Sequence, residues 1–477
     1  MSDCFELLKK RLYNKKCAVL GIGVSNLPLV NLLIKLGCCS KIVIYDKKGI
    51  SELSEEAQKL YADGIEFVTG PGCFDDIDAG VIFRSPGIRP DAAGIPKSVK
   101  NGAVLTSETE QLLDLTVART FAITGSDGKT TTSTLTGKFL EAAGSRVYLG
   151  GNIGTPLLDK CDLMRPEDSC VLELSSFQLM HIARAPMNAA ITNVSPNHMD
   201  WHVNEEEYFG AKKNIVGENT KRLVVNANCR ATALFGAEIA KNTDKEVIFF
   251  SSSASSFAQA APICGNNVKA VYRRDGIIYI SDAQTESPLL SEHEIRLPGL
   301  HNIENYMTAM ALTYKYASSE DYLAVARDFT GVEHRLEPVR TLDGVEYING
   351  SIDSSPTRTI AALSALEGRD IVIICGGYDK NLDYSPLAPK LCECVRTVVL
   401  SGATSDKIEN ALLNCEDYRE GKPEICRADS FEDAVTIAKS KARIGGCVLL
   451  SPASASFDRF KNFAERGKYF KKLVNEL

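Results

Sequence analysis

Ala122-Ile-Thr-Gly-Ser-Asp-Gly-Lys-Thr-Thr131 decides how the rest of the chain is read. Thr120-Phe-Ala-Ile-Thr124 is an apolar run that predicts a buried strand. Gly125 and Gly128 then open a loop, and a helical pattern follows from Lys129 to about Ala143, stopped by Gly144. Backbone N–H groups at a glycine-rich turn and a helix N-terminus can surround a polyphosphate, because both present the positive ends of peptide dipoles. Lys129 adds a cation, and the Thr130 hydroxyl is placed to ligand Mg²⁺. Strand, loop and helix in this order predict an ATP site, in a loop shorter than the usual pattern. The alternative, a tight turn with a solvated lysine, is weighed down by that context.

Outward from this motif, strand and helix patterns alternate in three segments, as expected for an α/β chain of 477 residues. The expected domains are 1–110, a Rossmann-like sheet; 111–297, a parallel sheet of P-loop ATPase type; and 298–477, a second Rossmann-like sheet. In the first, strand Cys17-Ala-Val-Leu20 leads through Gly21-Ile-Gly23-Val-Ser-Asn26 into an apolar helix ended by Gly37. A strand Lys41-Ile-Val-Ile-Tyr45 follows and ends at Asp46. This βαβ unit resembles a dinucleotide fingerprint, although Asn26 stands where a third glycine is usual. A further strand, Ala79 to Phe83, runs into the turn Arg84-Ser-Pro-Gly-Ile88, at the sheet edge where open α/β folds bind ligands.

Composition narrows the function classes. A net charge of −7 and no Lys/Arg block leave no footprint for nucleic acid. No apolar run approaches the ~20 residues of a membrane span. Met1-Ser-Asp-Cys-Phe-Glu lacks a basic segment followed by an apolar core, so no signal peptide is expected. The fifteen cysteines are an odd number and are dispersed without zinc-like pairs, so free thiols in a reducing cytoplasm are expected. A monomer is the expected state.

In the middle segment, polar groups follow apolar strands. Gly150-Gly-Asn-Ile-Gly154 comes after Val147-Tyr-Leu149, and Val171-Leu-Glu-Leu-Ser-Ser-Phe-Gln178 puts Glu173 near a strand end. Ala189 to Val194 leads into Ser195-Pro-Asn-His-Met-Asp-Trp-His202. A carboxylate beside a phosphate loop suits Mg²⁺, which favours oxygen ligands. Glu173 and His198 singly would pass as structural, but their place on successive strands after the loop points to one crevice. Tyr208 to Val216 predicts a short helix carrying Lys212 and Lys213, a pair that alone reads as a solvated face. The Ser/Ala-rich stretch Ser251 to Ala261 reads as a flexible insertion.

The Pro-Gly turn at Leu297-Pro-Gly-Leu300 is the expected boundary of the third segment. Strands at 370–374, 397–400 and 447–450 are each followed by a polar loop: Cys375 to Lys380, Ser401 to Thr404, and Ser451 to Ser456. These loops are expected to line one sheet edge.

Together, Thr124-Gly-Ser-Asp-Gly-Lys-Thr-Thr131, Gly151-Asn-Ile-Gly154, Leu174-Ser-Ser-Phe-Gln-Leu179, Asn193-Val-Ser-Pro-Asn-His-Met-Asp200, His334-Arg335 and Leu450-Ser-Pro-Ala-Ser-Ala-Ser456 resemble the Mur ligase family, in order and over essentially the whole chain. The resemblance implies an ATP-dependent amide ligase working through an acyl phosphate and a tetrahedral intermediate. The Ser-Ser-Phe-Gln segment and the ending Phe457 to Gly467 point to addition of D-glutamate to UDP-N-acetylmuramoyl-L-alanine in peptidoglycan precursor synthesis. By this resemblance Gly125, Ser126, Asp127, Gly128, Lys129, Thr130 and Thr131 hold ATP, with Asn305 and Arg335 reaching it from the third domain. Thr130, Glu173, His198 and Lys212 serve two Mg²⁺ ions, Lys212 as a carbamate. Lys129, His198 and Lys212 are the catalytic set. Gly23, Val24, Ser85, Pro86 and Gly87 lie near the acceptor's diphosphate, Asp46 near its uridine, and Asn152 and Ser175 near its reacting end. Lys380, Ser456 and Phe463 match the positions that hold D-glutamate.

The pattern is broken in places. Asn349-Gly350-Ser351 stands where the family has Asn-Asp-Ser, and Ile352 where a lysine is frequent. Asp353 is a candidate to stand in for the missing carboxylate. Asn197 replaces an acidic residue before His198. A sibling ligase, a nucleotide-binding regulator and a nicotinamide oxidoreductase are the rival readings; the last leaves the Gly125 loop unexplained.

Overall fold

The computed structural model describes residues 3–23, 25–196, 198–199, 201–297, 299–380 and 382–477. Val24, expected at the acceptor's diphosphate, lies outside the described residues, as do Asn197 and Asp200. The chain divides into two compact units, residues 1–329 and 330–477.

The first unit holds two sheets. Strands β1 (Lys16–Leu20), β2 (Lys41–Asp46), β3 (Glu66–Thr69), β4 (Val81–Arg84) and β5 (Val104–Thr106) form an all-parallel sheet in the order β3-β2-β1-β4-β5. Cys17 to Leu20 are buried throughout, as a central parallel strand covered on both faces requires. The order reverses between β1 and β4, and a parallel sheet opens a crevice at such a switch point. The Gly21 and Ser85 loops flank that crevice.

The second sheet comprises β6 (Arg119–Thr124), β7 (Val147–Gly151), β8 (Ser169–Glu173), β9 (Asn188–Ile191), β10 (Arg222–Asn226), β11 (Glu246–Ser251), β12 (Val268–Arg274), β13 (Ile277–Ser281) and β14 (Glu286–Ser291). Its order is β14-β13-β12-β11-β10-β9-β6-β8-β7, parallel from β7 to β12 and antiparallel beyond. The phosphate loop leaves β6 between the ends of β8 and β9, which is why residues far apart in sequence meet there.

Two expectations are corrected in this unit. Residues 251–261 do not form a flexible insertion: Ala254, Phe257 and Ala260 are buried, and the short helix Phe257–Ala260 packs on β12. The apolar positions hidden among serines supply the contact. Nor does the unit end at 297. Helices Leu300–Thr313 and Ser319–Asp328 pack on the phosphate-loop helix Lys129–Ala142, where Phe139 meets Tyr306 and Tyr322 with ring centroids 5.9 and 4.7 Å apart. Asn305 therefore belongs with the first unit.

The second unit is built on β15 (Glu337–Leu342), β16 (Val345–Asn349), β17 (Ile371–Cys375), β18 (Val395–Leu400), β19 (Glu424–Arg427) and β20 (Cys447–Leu450), in the order β15-β16-β20-β17-β18-β19. All pairs are parallel except β15 with β16. The polar loops after β17, β18 and β20 therefore gather at one edge, as expected, and the loop after β16 joins them. Among the described residues no helix is long and apolar enough to cross a membrane.

The packing of Phe139 yields a prediction. Phe139→Ala is expected to destabilise the first unit by about 3–5 kcal/mol. A fragment ending at residue 297 is expected to lose cooperative unfolding, whereas one ending at 329 keeps it; urea titrations followed by circular dichroism read both.

Candidate active site

The phosphate loop is held open by contacts that only glycine permits. Gly125 has φ +150°, and a Cβ there would lie 1.9 Å from Thr192 Oγ1. Gly128 has φ +78°, and its Cβ would lie 2.4 Å from Asn305 Oδ1. The loop is pinned by the chain after β9. Asp127 N donates to Asn193 Oδ1 at 2.9 Å, Thr192 Oγ1 donates to Asp127 O at 2.5 Å, and Ser126 Oγ donates to Ser195 O at 2.9 Å. Lys129 Nζ lies across the loop, donating to Gly125 O at 2.9 Å and Ser126 O at 2.8 Å. Thr131 follows on the first helical turn and is partly buried.

Beside the loop, a buried carboxylate stands at the end of β8. Glu173 is 2% exposed; its Oε2 accepts from Thr130 Oγ1 at 2.7 Å and its Oε1 from Asn152 Nδ2 at 2.8 Å. Asn152 N also donates to Glu173 O at 2.7 Å, fixing both chains. A carboxylate, a hydroxyl and an amide side by side form an oxygen-rich donor set that fits Mg²⁺. His198 adopts φ +58° and packs its ring edge-on against Phe177, with centroids 4.9 Å apart.

Lys212 is 1% exposed, at the end of helix Glu205–Lys213. Its Nζ donates to Gly125 O at 2.8 Å and sits 4.4 Å from the Tyr208 ring centre. Burial, reinforced by the nearby Lys129 charge, pushes its ammonium down to about 7. It is not the solvated lysine that its neighbour Lys213 suggests. Ser175 caps the short helix Ser176–Leu179, its Oγ accepting from Gln178 N at 3.2 Å while Gln178 Oε1 accepts from Ser175 N at 3.0 Å.

At the switch point of the first sheet, a Cβ on Gly21 (φ +77°) would stand 3.1 Å from Ser85 Cβ, so the two loops touch. Gly23 and Gly87 face open space. Asp46 clamps the first loop, its Oδ2 accepting from Ile22 N at 2.9 Å and its Oδ1 from Lys48 N at 3.0 Å. Asn26 takes the third-glycine position for a structural reason: its Nδ2 donates to Leu20 O at 3.1 Å and Gly21 O at 2.9 Å. The turn from Ser85 through Pro86 closes with Ile88 N donating to Ser85 O at 3.0 Å.

In the second unit, Arg335, Lys380, Ser456 and Phe463 all lie on segments that follow or flank the gathered strand ends. Lys380 Nζ is 5.4 Å from the Phe457 ring centre, Ser456 is buried, and Phe463 O accepts from Ser351 Oγ at 2.7 Å. His334, in the left-handed region at φ +67°, has Nδ1 2.9 Å from Asn349 Nδ2 and its ring against Phe463. Arg466 is the residue that sequence reading misses. It is 2% exposed and donates to Ser351 Oγ and O, Ser454 O and Ala455 O at 2.9 to 3.1 Å, tying the β16 and β20 loops together. An arginine inside a helical pattern reads as solvated, so no sequence signal marks it. Glu333, His334 and Glu337 cluster closely enough to hold a cation, but the Lys471 ammonium already bridges the two carboxylates, 3.1 and 2.6 Å away.

The Gly350 departure has a geometric counterpart. A Cβ on Gly350 would lie 2.7 Å from Asp353 Oδ2, so the Asp353 carboxylate occupies the space into which an aspartate at 350 would extend. Ser451 Oγ donates to it at 2.9 Å, and burial pushes its acid form up to about 6.

The Mur ligase middle-domain profile matches residues 123–313. The UDP-N-acetylmuramoylalanine--D-glutamate ligase of Ruminiclostridium cellulolyticum is 42% identical over 484 aligned positions, covering 100% of both chains. That of Acetivibrio thermocellus is 42% identical over 98% of each chain, and that of Clostridium beijerinckii 41% over 100% of each. Among solved structures, the UDP-N-acetylmuramate-alanine ligase of Thermotoga maritima superposes with a TM-score of 0.55 at 17% identity, over 97% of this chain and 99% of its own. A pseudomurein peptide ligase from Methanothermus fervidus gives 0.50 at 17% identity, over 97% of this chain and 100% of its own. At such identities these two speak for the fold alone.

The Asp353 contact is open to test. Gly350→Asp is expected to destabilise the second unit by about 1–3 kcal/mol, since two carboxylates are forced together beside Leu450 O. Adding Asp353→Ser is expected to recover part of that loss in urea unfolding.

Proposed function

We propose, from the premise that this chain belongs to the Mur ligase family, that it joins D-glutamate to UDP-N-acetylmuramoyl-L-alanine at the expense of ATP. The observation that carries this reading is the meeting of the Glu173 carboxylate, the Thr130 hydroxyl and the Asn152 amide beside a glycine loop, with buried Lys212 on the loop's first carbonyl.

In this reading the acceptor's alanyl carboxylate attacks the γ-phosphorus of ATP, ADP leaves, and an acyl phosphate forms. The D-glutamate amine then attacks the acyl carbon, loses a proton, and the tetrahedral intermediate collapses with loss of phosphate. Every reactant is anionic, so the protein's task is to gather negative charge at one point. The loop N–H groups from Gly125 to Thr131 and the Lys129 ammonium hold the ATP phosphates. Thr130 and Glu173 would hold one Mg²⁺, and His198 with Lys212 a second; bound there, Mg²⁺ would supply charge neutralisation at the phosphates. Lys212 can do so only after its amine adds CO₂, because an ammonium cannot bind a cation and a carbamate oxygen can. An ammonium brought down to about 7 leaves the nucleophilic free amine plentiful near neutral pH.

Asn305 and Thr132 hold the nucleotide side of the loop, Thr132 Oγ1 donating to Asn305 Oδ1 at 3.2 Å. The switch-point crevice, with Gly23, Asp46 and the Ser85–Gly87 turn, receives the UDP moiety rather than a dinucleotide. Lys380 and Ser456 offer a cation and a hydroxyl to the acidic amino acid, and the family resemblance assigns Phe463 to the same amino acid and Arg335 to ATP. Work in the cytoplasm, where ATP is present, agrees with fifteen cysteines that form no disulfide in the structure.

Phosphate release tests the assignment. Release should require ATP, UDP-N-acetylmuramoyl-L-alanine and D-glutamate together; release with L-lysine or diaminopimelate instead would make the protein a sibling ligase. Lys212→Ala is expected to lower kcat by about a hundredfold or more, and short carboxylic acids to restore part of it. Stability offers a further check. Lys212 titrates lower in the folded than in the unfolded chain, so between about 7 and its ordinary value the unfolded state binds more protons. Wild-type stability at low CO₂ is therefore expected to rise with pH across that window, and Lys212→Met to lose the rise.

A further inference from the structure

Arg89 stands two residues after the Ser85–Gly87 turn, and its side chain reaches away from the first sheet. Its Nη2 donates to Glu207 Oε1 at 2.9 Å, and its Nη1 to Glu207 Oε2 at 3.1 Å and Trp201 O at 2.8 Å. Its guanidinium stands 5.1 Å from the Trp201 ring centre. The remaining edge of the fork is held by Asp91 of the same loop, at 2.9 Å. Arg84, at the other end of the turn, is 3% exposed and donates to Phe177 O at 2.9 Å and Ile88 O at 2.5 Å.

Beyond Glu207 the chain of contacts continues inward. Glu207 Oε2 lies 3.2 Å from His202 Nδ1, and since a carboxylate only accepts, that nitrogen carries the proton. His202 Nε2, 2.9 Å from Ser176 Oγ, then accepts from the hydroxyl. The His202 side chain is wholly buried. Arg89 holds the Glu207 carboxyl down to about 2, so the pair stays ionised across the working range. Glu207 lies in the first turn of the helix Glu205–Lys213, which carries Lys212 in its last turn, and Ser176 follows the cap that leaves β8 and Glu173.

A solvated ion pair would contribute little here. A bidentate fork locked over an indole, backed by a buried imidazole, fixes geometry instead. We propose that Arg89, Glu207, His202 and Ser176 form a positioning relay. It ties the loop that receives the acceptor's diphosphate to the helix of Lys212 and the strand end of Glu173, so that occupancy of the one settles the placement of the other. The relay rests on the reading of the Ser85–Gly87 turn as an acceptor site. None of the four touches the reacting atoms, and each acts through its neighbour.

Trp201 is the only tryptophan in the chain, so its fluorescence reports the relay directly. Titrating the wild-type protein with UDP-N-acetylmuramoyl-L-alanine, in the absence of ATP, should give binding heat and a Trp201 fluorescence change of the same midpoint. Arg89→Met should weaken acceptor binding about tenfold and abolish the optical change, while KM for ATP stays within about twofold. Arg89→Lys, which keeps the charge without the fork, should fall between, and Arg89→Glu with Glu207→Arg should recover part of the loss. Unchanged acceptor affinity and signal in Arg89→Met would overturn the relay. So would a parallel rise of the ATP and acceptor KM values with a lowered Tm, which marks a merely structural contact. Wild-type protein that gives no heat with the acceptor would overturn the reading of the turn, and the proposal with it.

Discussion

Two lysine side chains share one carbonyl oxygen in the glycine loop after β6: Lys129 and Lys212 both donate to Gly125 O, at 2.9 and 2.8 Å. The loop takes this course because Gly125 adopts a backbone in which any Cβ would run into Thr192, and because β6 delivers the loop between β8 and β9. Like charges at such a distance repel strongly in a poorly solvated place, and the burial of Lys212 adds to the penalty. The result is an amine that gives up its proton near neutrality and a local excess of positive charge facing the loop. A site so built is unfavourable alone and favourable around anions, which is the electrostatic logic of a phosphoryl-transfer centre.

Buried arginines hold the surrounding loops in place without matching acids. Arg84 and Arg466 spend their N–H groups almost wholly on backbone carbonyls and a serine hydroxyl. Their guanidinium groups are correspondingly pushed down to about 10 by burial. Desolvating a cation is costly, and five directed hydrogen bonds offset that cost only when several carbonyls converge. Each arginine thus stabilises one backbone arrangement of the loops around it, and the loops it selects are those next to the expected substrate positions.

The strand–loop–helix around Lys129, the carboxylate at the end of β8 and the three α/β segments were legible in the sequence because each is local. Apolar runs, glycines at strand ends and helix stops act over a dozen residues. The hidden parts were those that depend on packing between distant segments. Ser251 to Ala261 looked flexible because its four buried apolar positions are diluted by serine, and Leu300 to Asp328 looked like the start of a new domain because nothing in a Pro-Gly turn tells which side the next helix packs against. Asn26 and Gly350 looked like departures, whereas the first fastens the Gly21 loop and the second leaves room for Asp353.

The sequence by itself determined the groups on offer: a glycine loop opening a helix, a carboxylate and an amide at strand ends, and a lysine for which the family pattern implied a role. Those properties reside in side-chain type and short-range order. Only the tertiary structure decided which groups are neighbours and what charge they carry. Thr130 meets Glu173, and Arg89 meets Glu207, because parallel strands bring separate loops to one edge. Lys212 gives up its proton near neutral pH because its surroundings exclude water and Lys129 lies close, a property of the packed fold and of no residue alone.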